Sequence, residues 1–208
     1  MPVLYDYLDS GNGYKIRLLL AQLQCPYRWV EIDIMQGKTR TPEFLAKNLN
    51  GRIPTLELDD GTCLAESNAI LWYLGEGTPY VPDDRLARAQ VLQWMFFEQY
   101  SHEPFVATPR YIVKHLAPDH PRRAELPGRL EKGHAALKVM EGHLATREFF
   151  VNDRYGIADI ALYAYTHVAP DGGLELTAYP KVREWLTRVS AQPNYVQLLT
   201  VPNKAVAA

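Results

Sequence analysis

Cysteine is nearly missing from this chain: of 208 residues only Cys25 and Cys63 carry a thiol, and the two form no close pair. A disulfide framework is therefore not expected, and a reducing, cytoplasmic location is. An excess of either charge is missing too. The 22 basic and 24 acidic residues leave a net charge of -2, which gives no electrostatic reason to expect nucleic acid or an anionic membrane as partner. No apolar run approaches the ~20 residues of a membrane span. The opening Met1-Pro2-Val3-Leu4-Tyr5-Asp6 lacks the basic stretch and long apolar run of a secretory signal, so none is expected. Histidines and cysteines are nowhere clustered at metal-ligand spacing, so no metal is expected. Repeats and low-complexity tracts are absent. What is present is apolar: 47% hydrophobic and 11% aromatic residues, enough for the sizeable core of one or two domains.

The apolar residues change their spacing along the chain. Residues 3–8 read as a strand, and 13–24 as a helix with Ile16, Leu19, Leu20 and Leu23 at helical spacing. Residues 29–34 alternate as a half-buried strand does. Thr41-Pro42-Glu43-Phe44 places a cap before a proline at the first helical position. Residues 55–58 and 62–64 flank Asp59-Asp60-Gly61 as a hairpin, and 66–75 form a helix. This β-α-β-α-β-β-α order makes residues 1–76 a small α/β domain. The turn formers of 77–84 read as a linker. Residues 85–208 are an all-helical domain: one long helix over 87–113, bent near Pro104 or Pro109, then helices over 125–146, 157–168 and 182–191.

Three segments of the first domain carry chemistry. Ile53-Pro54 follows Gly51-Arg52 into the hairpin. An ordinary trans proline opening a strand is one reading. The other is the cis proline that thioredoxin-like folds carry there, with the Ile53 backbone turned out to pair with an extended peptide. Glu66-Ser67 opens an apolar helix. As structure alone, Ser67 caps the helix and Glu66 favours its dipole. As a site, the helix start and the Ser67 hydroxyl receive a carboxylate while Glu66 takes an ammonium group, matching an amino-acid head group. The third segment, Ser10-Gly11-Asn12-Gly13, lies between the first strand and first helix. Dithiol members of the thioredoxin-like fold place a Cys-x-x-Cys pair at that corner; this chain has no cysteine there. Thiol chemistry must then use a sulfur brought by a bound ligand, stabilised as thiolate by a hydroxyl and a helix dipole. A plain turn and helix cap is the competing reading.

Together these segments resemble the cytosolic glutathione transferase superfamily of bacterial type. The resemblance covers nearly the whole chain. It implies a thioredoxin-like α/β domain followed by an all-α domain, with glutathione as co-substrate. Ser10 stands where the serine-type classes place their activating hydroxyl. The Ser10-x-Asn12 pair also resembles the Thr-x-Asn arrangement of nu-type proteins, which reduce disulfides with glutathione. By resemblance, Ser10 and Asn12 contact the sulfur, with Tyr5 the alternative activator. Ile53 and Pro54 hold the cysteinyl backbone, Glu66 and Ser67 the γ-glutamyl group, and Lys38 and Arg52 the glycyl carboxylate. Tyr100, His102, Phe105 and Tyr111 are candidates for the second-substrate wall. Gln99 to Pro104 faces either that cleft or a partner subunit, and His102 also reads as a structural histidine. The implied function is attack of the activated glutathione thiol on an electrophile. Glutathione-dependent disulfide or peroxide reduction and a non-catalytic glutathione- or ligand-binding scaffold are the alternatives. A homodimer is the implied assembly. Two departures stand out: Asn48 is followed by Leu49 where the family often has proline, and Gly156-Ile157-Ala158-Asp159 carries glycine where the family has a Ser/Thr cap.

Overall fold

The computed structural model describes residues 1–202. It divides into two compact units: Met1–Glu76 joined by residues 193–202, and Gly77–Gln192. This corrects two expected boundaries. Residues 193–202 do not belong with the helices, because helix α1 of the first unit binds their backbone: the Tyr14 hydroxyl donates to the Val196 carbonyl at 2.7 Å and Arg17 to the Leu198 carbonyl at 2.6 Å. Residues 77–84 are not a free linker either. Val81 is buried, and the Tyr80 carbonyl accepts the Ile157 N–H at 3.1 Å, inside the second unit.

In the first unit, β1 (Val3–Asp6) pairs in parallel with β2 (Arg28–Glu31) and antiparallel with β3 (Thr55–Glu57), which pairs antiparallel with β4 (Cys63–Ala65). The order across the sheet is β2-β1-β3-β4. Helix α1 (Gly11–Gln22) and helix α3 (Ser67–Gly75) pack together, and α2 (Pro42–Lys47) follows β2. Strand β1 is shorter than expected because the Tyr7 N–H turns to the Asp6 carboxylate at 2.7 Å instead of to a neighbouring strand. Side chains alternate along β1 as a pleat requires. Asp6 meets Arg17 of α1, while Tyr5 meets Phe44 and Lys47 of α2.

Helix α1 begins two residues before the position that apolar spacing indicates, because Ser10 caps it: its Oγ accepts the Gly13 N–H at 3.2 Å. Its entry is fixed from beneath as well. Asp6 is fully buried, bonded to Arg17 Nε at 2.9 Å, and any Cβ at residue 13 would lie 1.5 Å from Asp6 Oδ1. Glycine is the residue that lets the carboxylate sit against the helix. Burial pushes the Asp6 carboxyl up to about 6 in spite of the guanidinium beside it.

The second unit contains α4 (Arg85–Phe97), α5 (Glu103–His115), α6 (Leu126–Leu144), α7 (Ile157–Thr166) and α8 (Pro180–Ser190). The single long helix expected over 87–113 is interrupted by a π-helical turn, Glu98–His102. Pro104 has no N–H to continue the helix, and the Glu103 N–H reaches back five residues to the Glu98 carbonyl. Trp185, Phe150 and Tyr163 pack edge to face at the centre of this unit. Asp159 lies among them, accepting from Phe150 N–H, Gly156 N–H and Trp185 Nε1 at 3.2, 3.1 and 2.9 Å. Glycine at the cap of α7 has a steric cause: a Cβ at 156 would lie 2.7 Å from the Tyr80 carbonyl oxygen. That carbonyl accepts the N–H of Ile157, the first residue of the helix.

Candidate functional site

The site assembles where α1 and α3 begin. Ser10 sits half-buried at the cap of α1. Its Oγ uses a lone pair on Gly13, and among the described residues its proton meets no acceptor. The hydroxyl can therefore cap the helix and still donate one hydrogen bond to a ligand. Asn12, in the first turn of α1, is linked to the start of α3 by the Ser67 hydroxyl, which donates to Asn12 Oδ1 at 3.2 Å.

Helix α3 starts unlike α1. The flanking residue is Glu66, held at φ +67°, and its side chain makes no capping bond. A non-glycine residue in that region carries roughly 1–3 kcal/mol of strain. Helical bonding begins with the Ile70 N–H on the Glu66 carbonyl at 2.9 Å. The amides before it have no helical acceptor, and the Glu66 side chain does not cap them. Ser67 does not cap this helix. It is buried and turned inward, accepting from the fully buried Lys15 Nζ at 3.2 Å. Its hydroxyl also donates to Asn12 Oδ1, so it is engaged on both sides in this structure.

The Ile53–Pro54 bond is cis. The loop ahead of it is built on Asn48, whose Nδ2 donates to the Arg52 carbonyl at 2.8 Å and to Thr55 Oγ1 at 3.2 Å, and whose Oδ1 accepts the Asn50 N–H at 3.0 Å. Those bonds belong to Asn48 itself, so the leucine that follows it leaves the loop intact. Lys38 and Arg52 are both exposed; their neighbour Arg40 is spent on the Asn50 carbonyl at 3.0 Å.

Tyr5 occupies a different place. Its hydroxyl donates to Glu57 Oε2 at 2.8 Å, and Lys47 bonds the same oxygen. Burial and the Glu57 carboxylate raise its pKa above the ordinary phenol value, so the hydroxyl holds its proton more firmly.

The four candidates for the second-substrate wall separate. Tyr100 and Phe105 line one shallow groove of the second unit, with Phe97, Gln99, Lys132 and Val139. His102 is fully buried and bonded to Thr166 Oγ1 at 2.9 Å. Since Thr166 donates to the Leu162 carbonyl at 2.7 Å, His102 Nε2 is the donor, a structural bond inside the helices. Tyr111 packs on His115, outside that groove. Sequence reasoning passed over Lys15 and Arg17 altogether. No pattern marked them, since two cations on a helix read as its solvent face. Among the described residues there is no group of three or more His, Cys, Asp or Glu that could hold a metal ion.

A thioredoxin-like domain with a hydroxyl and an amide where dithiol enzymes keep their cysteines, joined in one chain to an all-helical domain, is the architecture of a glutathione transferase. The chain belongs to the glutathione S-transferase family: the family model for the N-terminal domain matches residues 3–76 and that for the C-terminal domain residues 93–193. A glutathione S-transferase crystal structure from Pseudomonas fluorescens is 49% identical, with a TM-score of 0.94, covering 96% of this chain and 99% of that one. A glutathione transferase from Burkholderia graminis, solved with two glutathione molecules per subunit, is 27% identical with a TM-score of 0.85, covering 98% and 89%. The disulfide-bond oxidoreductase YfcG of Escherichia coli is 29% identical over 204 residues, 93% of this chain and 92% of that protein. Elongation factor 1-gamma of Equus caballus is 30% identical over 211 residues; the match covers 94% of this chain and 46% of that longer protein. No helix among the described residues is long and apolar enough to cross a membrane.

Proposed function

We propose that this protein binds glutathione at the starts of α1 and α3 and activates its thiol through Ser10 and Asn12. The observation that carries the reading is the Ser10 hydroxyl, fixed by its bond to Gly13 with its proton still to give. A thiolate beside it gains a charge-assisted hydrogen bond and the positive end of the α1 dipole, both of which lower a thiol pKa. The uncapped start of α3 receives the γ-glutamyl carboxylate and Glu66 its ammonium group. The backbone of Ile53, ahead of Pro54, pairs with the cysteinyl residue, and Lys38 and Arg52 attract the glycyl carboxylate. Tyr5 is unsuited to the sulfur, because its proton is held by Glu57 and it faces α2.

The thiolate can attack an electrophilic carbon, forming a C–S bond and expelling the leaving group. It can instead attack a disulfide sulfur, giving a mixed disulfide and a free thiolate; a second glutathione then yields glutathione disulfide. The likeness to YfcG along nearly the full length of both chains favours disulfide reduction as the principal activity. We also propose a homodimer. Phe96 and Tyr100 are 69% and 84% exposed beside the half-exposed Val139, more apolar surface than one helical face leaves to water without a partner. Light scattering is expected to give twice the chain mass.

The test is titration calorimetry with reduced and oxidised glutathione, followed by assays on a small disulfide and on chlorodinitrobenzene. Ser10→Ala is expected to lower turnover about a hundredfold, the scale of one lost charge-stabilising donor, with little change in glutathione affinity. Tyr5→Phe should leave turnover within about threefold. Heat of binding without turnover in either assay would make the protein a glutathione-binding scaffold. Absence of heat with both forms of glutathione would overturn the reading.

A further inference from the structure

The loop that carries Ser10 is tied to a buried cation, Arg17. This side chain is 2% exposed, and its guanidinium reaches three segments of the chain: Nε donates to Asp6 Oδ2 at 2.9 Å, Nη2 to the Leu8 carbonyl at 2.6 Å and Nη1 to the Leu198 carbonyl at 2.6 Å. A guanidinium is planar and its donors form a rigid fork, so an acceptor fixed at one corner limits how the group turns at the others. Asp6 ends β1, and Leu8 lies in the turn that leads to Ser10. That turn is closed by the Ser10 N–H on the Tyr7 carbonyl at 2.8 Å and by the Tyr7 N–H on the Asp6 carboxylate at 2.7 Å. The third acceptor comes from residues 193–202, which form neither helix nor strand and contain one buried residue, Leu198. They meet α1 at two carbonyls, Val196 on the Tyr14 hydroxyl and Leu198 on Arg17. A cavity of about 520 Å³ opens along them, lined by Arg17, Ala21, Tyr27, Val196, Thr200 and Val201. A segment with so little burial and no ladder of backbone bonds belongs to the low-stability end of a fold and opens locally before the rest.

We propose that residues 193–202 are a strap that regulates the activating serine: seated, they hold Arg17 on the Leu8 carbonyl and so fix Ser10; lifted, they let Arg17 turn and Ser10 lose its aim. Arg17 is thereby a positioning residue for Ser10. The inference rests on the proposed function for what Ser10 does, while the coupling of strap to loop is a property of the protein itself. With the strap lifted, Nη1 exchanges a fixed carbonyl for water that moves with the group. The bond to Leu8 then has no set direction, and the turn before Ser10 loosens. A displaced hydroxyl gives a thiolate a poorer charge-assisted hydrogen bond, so less of the thiol is ionised. The start of α3, where the γ-glutamyl group is read to bind, makes no use of Arg17. Lifting the strap therefore lowers activation of the thiol and spares affinity for the tripeptide.

Two measurements on the full chain test this separately. Leu198→Asp puts a charge at the buried anchor of the strap; Leu199→Asp puts the same charge one residue on, at a position already 59% exposed, and is the control. The first measurement is amide hydrogen exchange without glutathione. Leu198→Asp is expected to speed exchange of the Ser10 and Gly13 amides about tenfold, and Leu199→Asp to leave them as in the wild type. Arg17→Lys should reproduce the effect, since one ammonium nitrogen cannot span acceptors on three segments. Unchanged exchange at Ser10 and Gly13 in Leu198→Asp overturns the strap whatever the protein binds. If that variant does not fold, Tyr14→Phe, which takes away the hydroxyl on the Val196 carbonyl and leaves Arg17 intact, carries the same comparison with a smaller effect. The second measurement is the pH titration of bound glutathione by thiolate ultraviolet absorbance, with turnover. Leu198→Asp should raise the thiol pKa by about one unit, a tenfold loss of thiolate, and lower kcat near neutral pH to match, with the KM for glutathione within about twofold. A loss carried by KM with the thiol pKa unchanged refutes the proposal and assigns the segment to the fold. Failure of the wild type to bind glutathione refutes the proposed function and leaves the exchange result to judge the strap.

Discussion

Two helix starts in this molecule are built in opposite ways. At α7, backbone donors are closed off. Asp159 takes the N–H groups of Gly156 and Phe150 together with the Trp185 indole, and the Tyr80 carbonyl takes that of Ile157. At α3, the flanking Glu66 is held at φ +67° with no capping bond, and Ser67 turns inward to Lys15 and Asn12. The first arrangement spends these donors inside the fold. The second leaves a glutamate exposed at a strained backbone position with no capping bond of its own. The hydrogen-bond accounting thus distinguishes a start engaged within the fold from the start at which binding is proposed.

The contrast can be broken from the α7 side with the largest effect. Asp159→Ala removes the acceptor of three buried donors and is expected to cost about 3–5 kcal/mol in urea unfolding. Glutathione affinity, measured where the variant is still folded, should stay as in the wild type. A parallel loss of affinity would mean that the two helix starts are not independent.

From the α3 side, Glu66→Gly should relieve the positive φ. It is expected to raise stability by about 1 kcal/mol or less, because glycine also gains freedom in the unfolded chain. The same change should weaken glutathione binding by about tenfold by removing the partner of the ammonium group. Gain in one quantity and loss in the other is the signature of strain kept for binding. Loss in both would assign Glu66 to the fold.

The smallest expected effect is one of pH. Burial pushes the Asp159 carboxyl up to about 7. A carboxyl whose folded value lies above its unfolded one contributes stability that is full below the ordinary carboxylate range and is lost as pH rises through the folded value. The difference in Tm between the wild type and Asp159→Asn should therefore shrink as pH rises from about 5 to about 8. Asp6, pushed up to about 6, contributes in the same direction and is common to both proteins. A difference that stays constant with pH would show that Asp159 is ionised throughout.

Much of this was legible in the sequence. The order of strands and helices and the cysteine-free corner rest on local patterns such as spacing, turn residues and caps, while the cis form of Ile53–Pro54 came from resemblance, local statistics favouring trans. The family and its two-part fold followed from them. What stayed hidden depends on contacts distant in sequence. Apolar spacing on α1 gave a helix, yet that helix buries Lys15 and Arg17 along with its leucines, because Ser67 lies 52 positions away and the Leu198 carbonyl 181 positions away. The strain at Glu66 has no composition signal, since glycine marks such positions and a glutamate does not. The π turn at Glu98–His102 was displaced from the expected bend because the five-residue bond forms ahead of Pro104 and not at it. His102 fell among the candidates by its neighbours and left them by its partner, Thr166.

The bonds from Tyr14 and Arg17 to the carbonyls of Val196 and Leu198 make residues 193–202 part of the first domain, although they follow the second in sequence. A single cut, by protease or by design, cannot separate the two halves cleanly. An N-terminal fragment stopping near Glu76 would lack the acceptors that those two side chains use, and Arg17 also grips the Leu8 carbonyl at 2.6 Å, two residues before Ser10. Synthesis must pass Leu198 before the loop that carries Ser10 has its full support, so a ribosome-bound half-chain is expected to have an unfinished site.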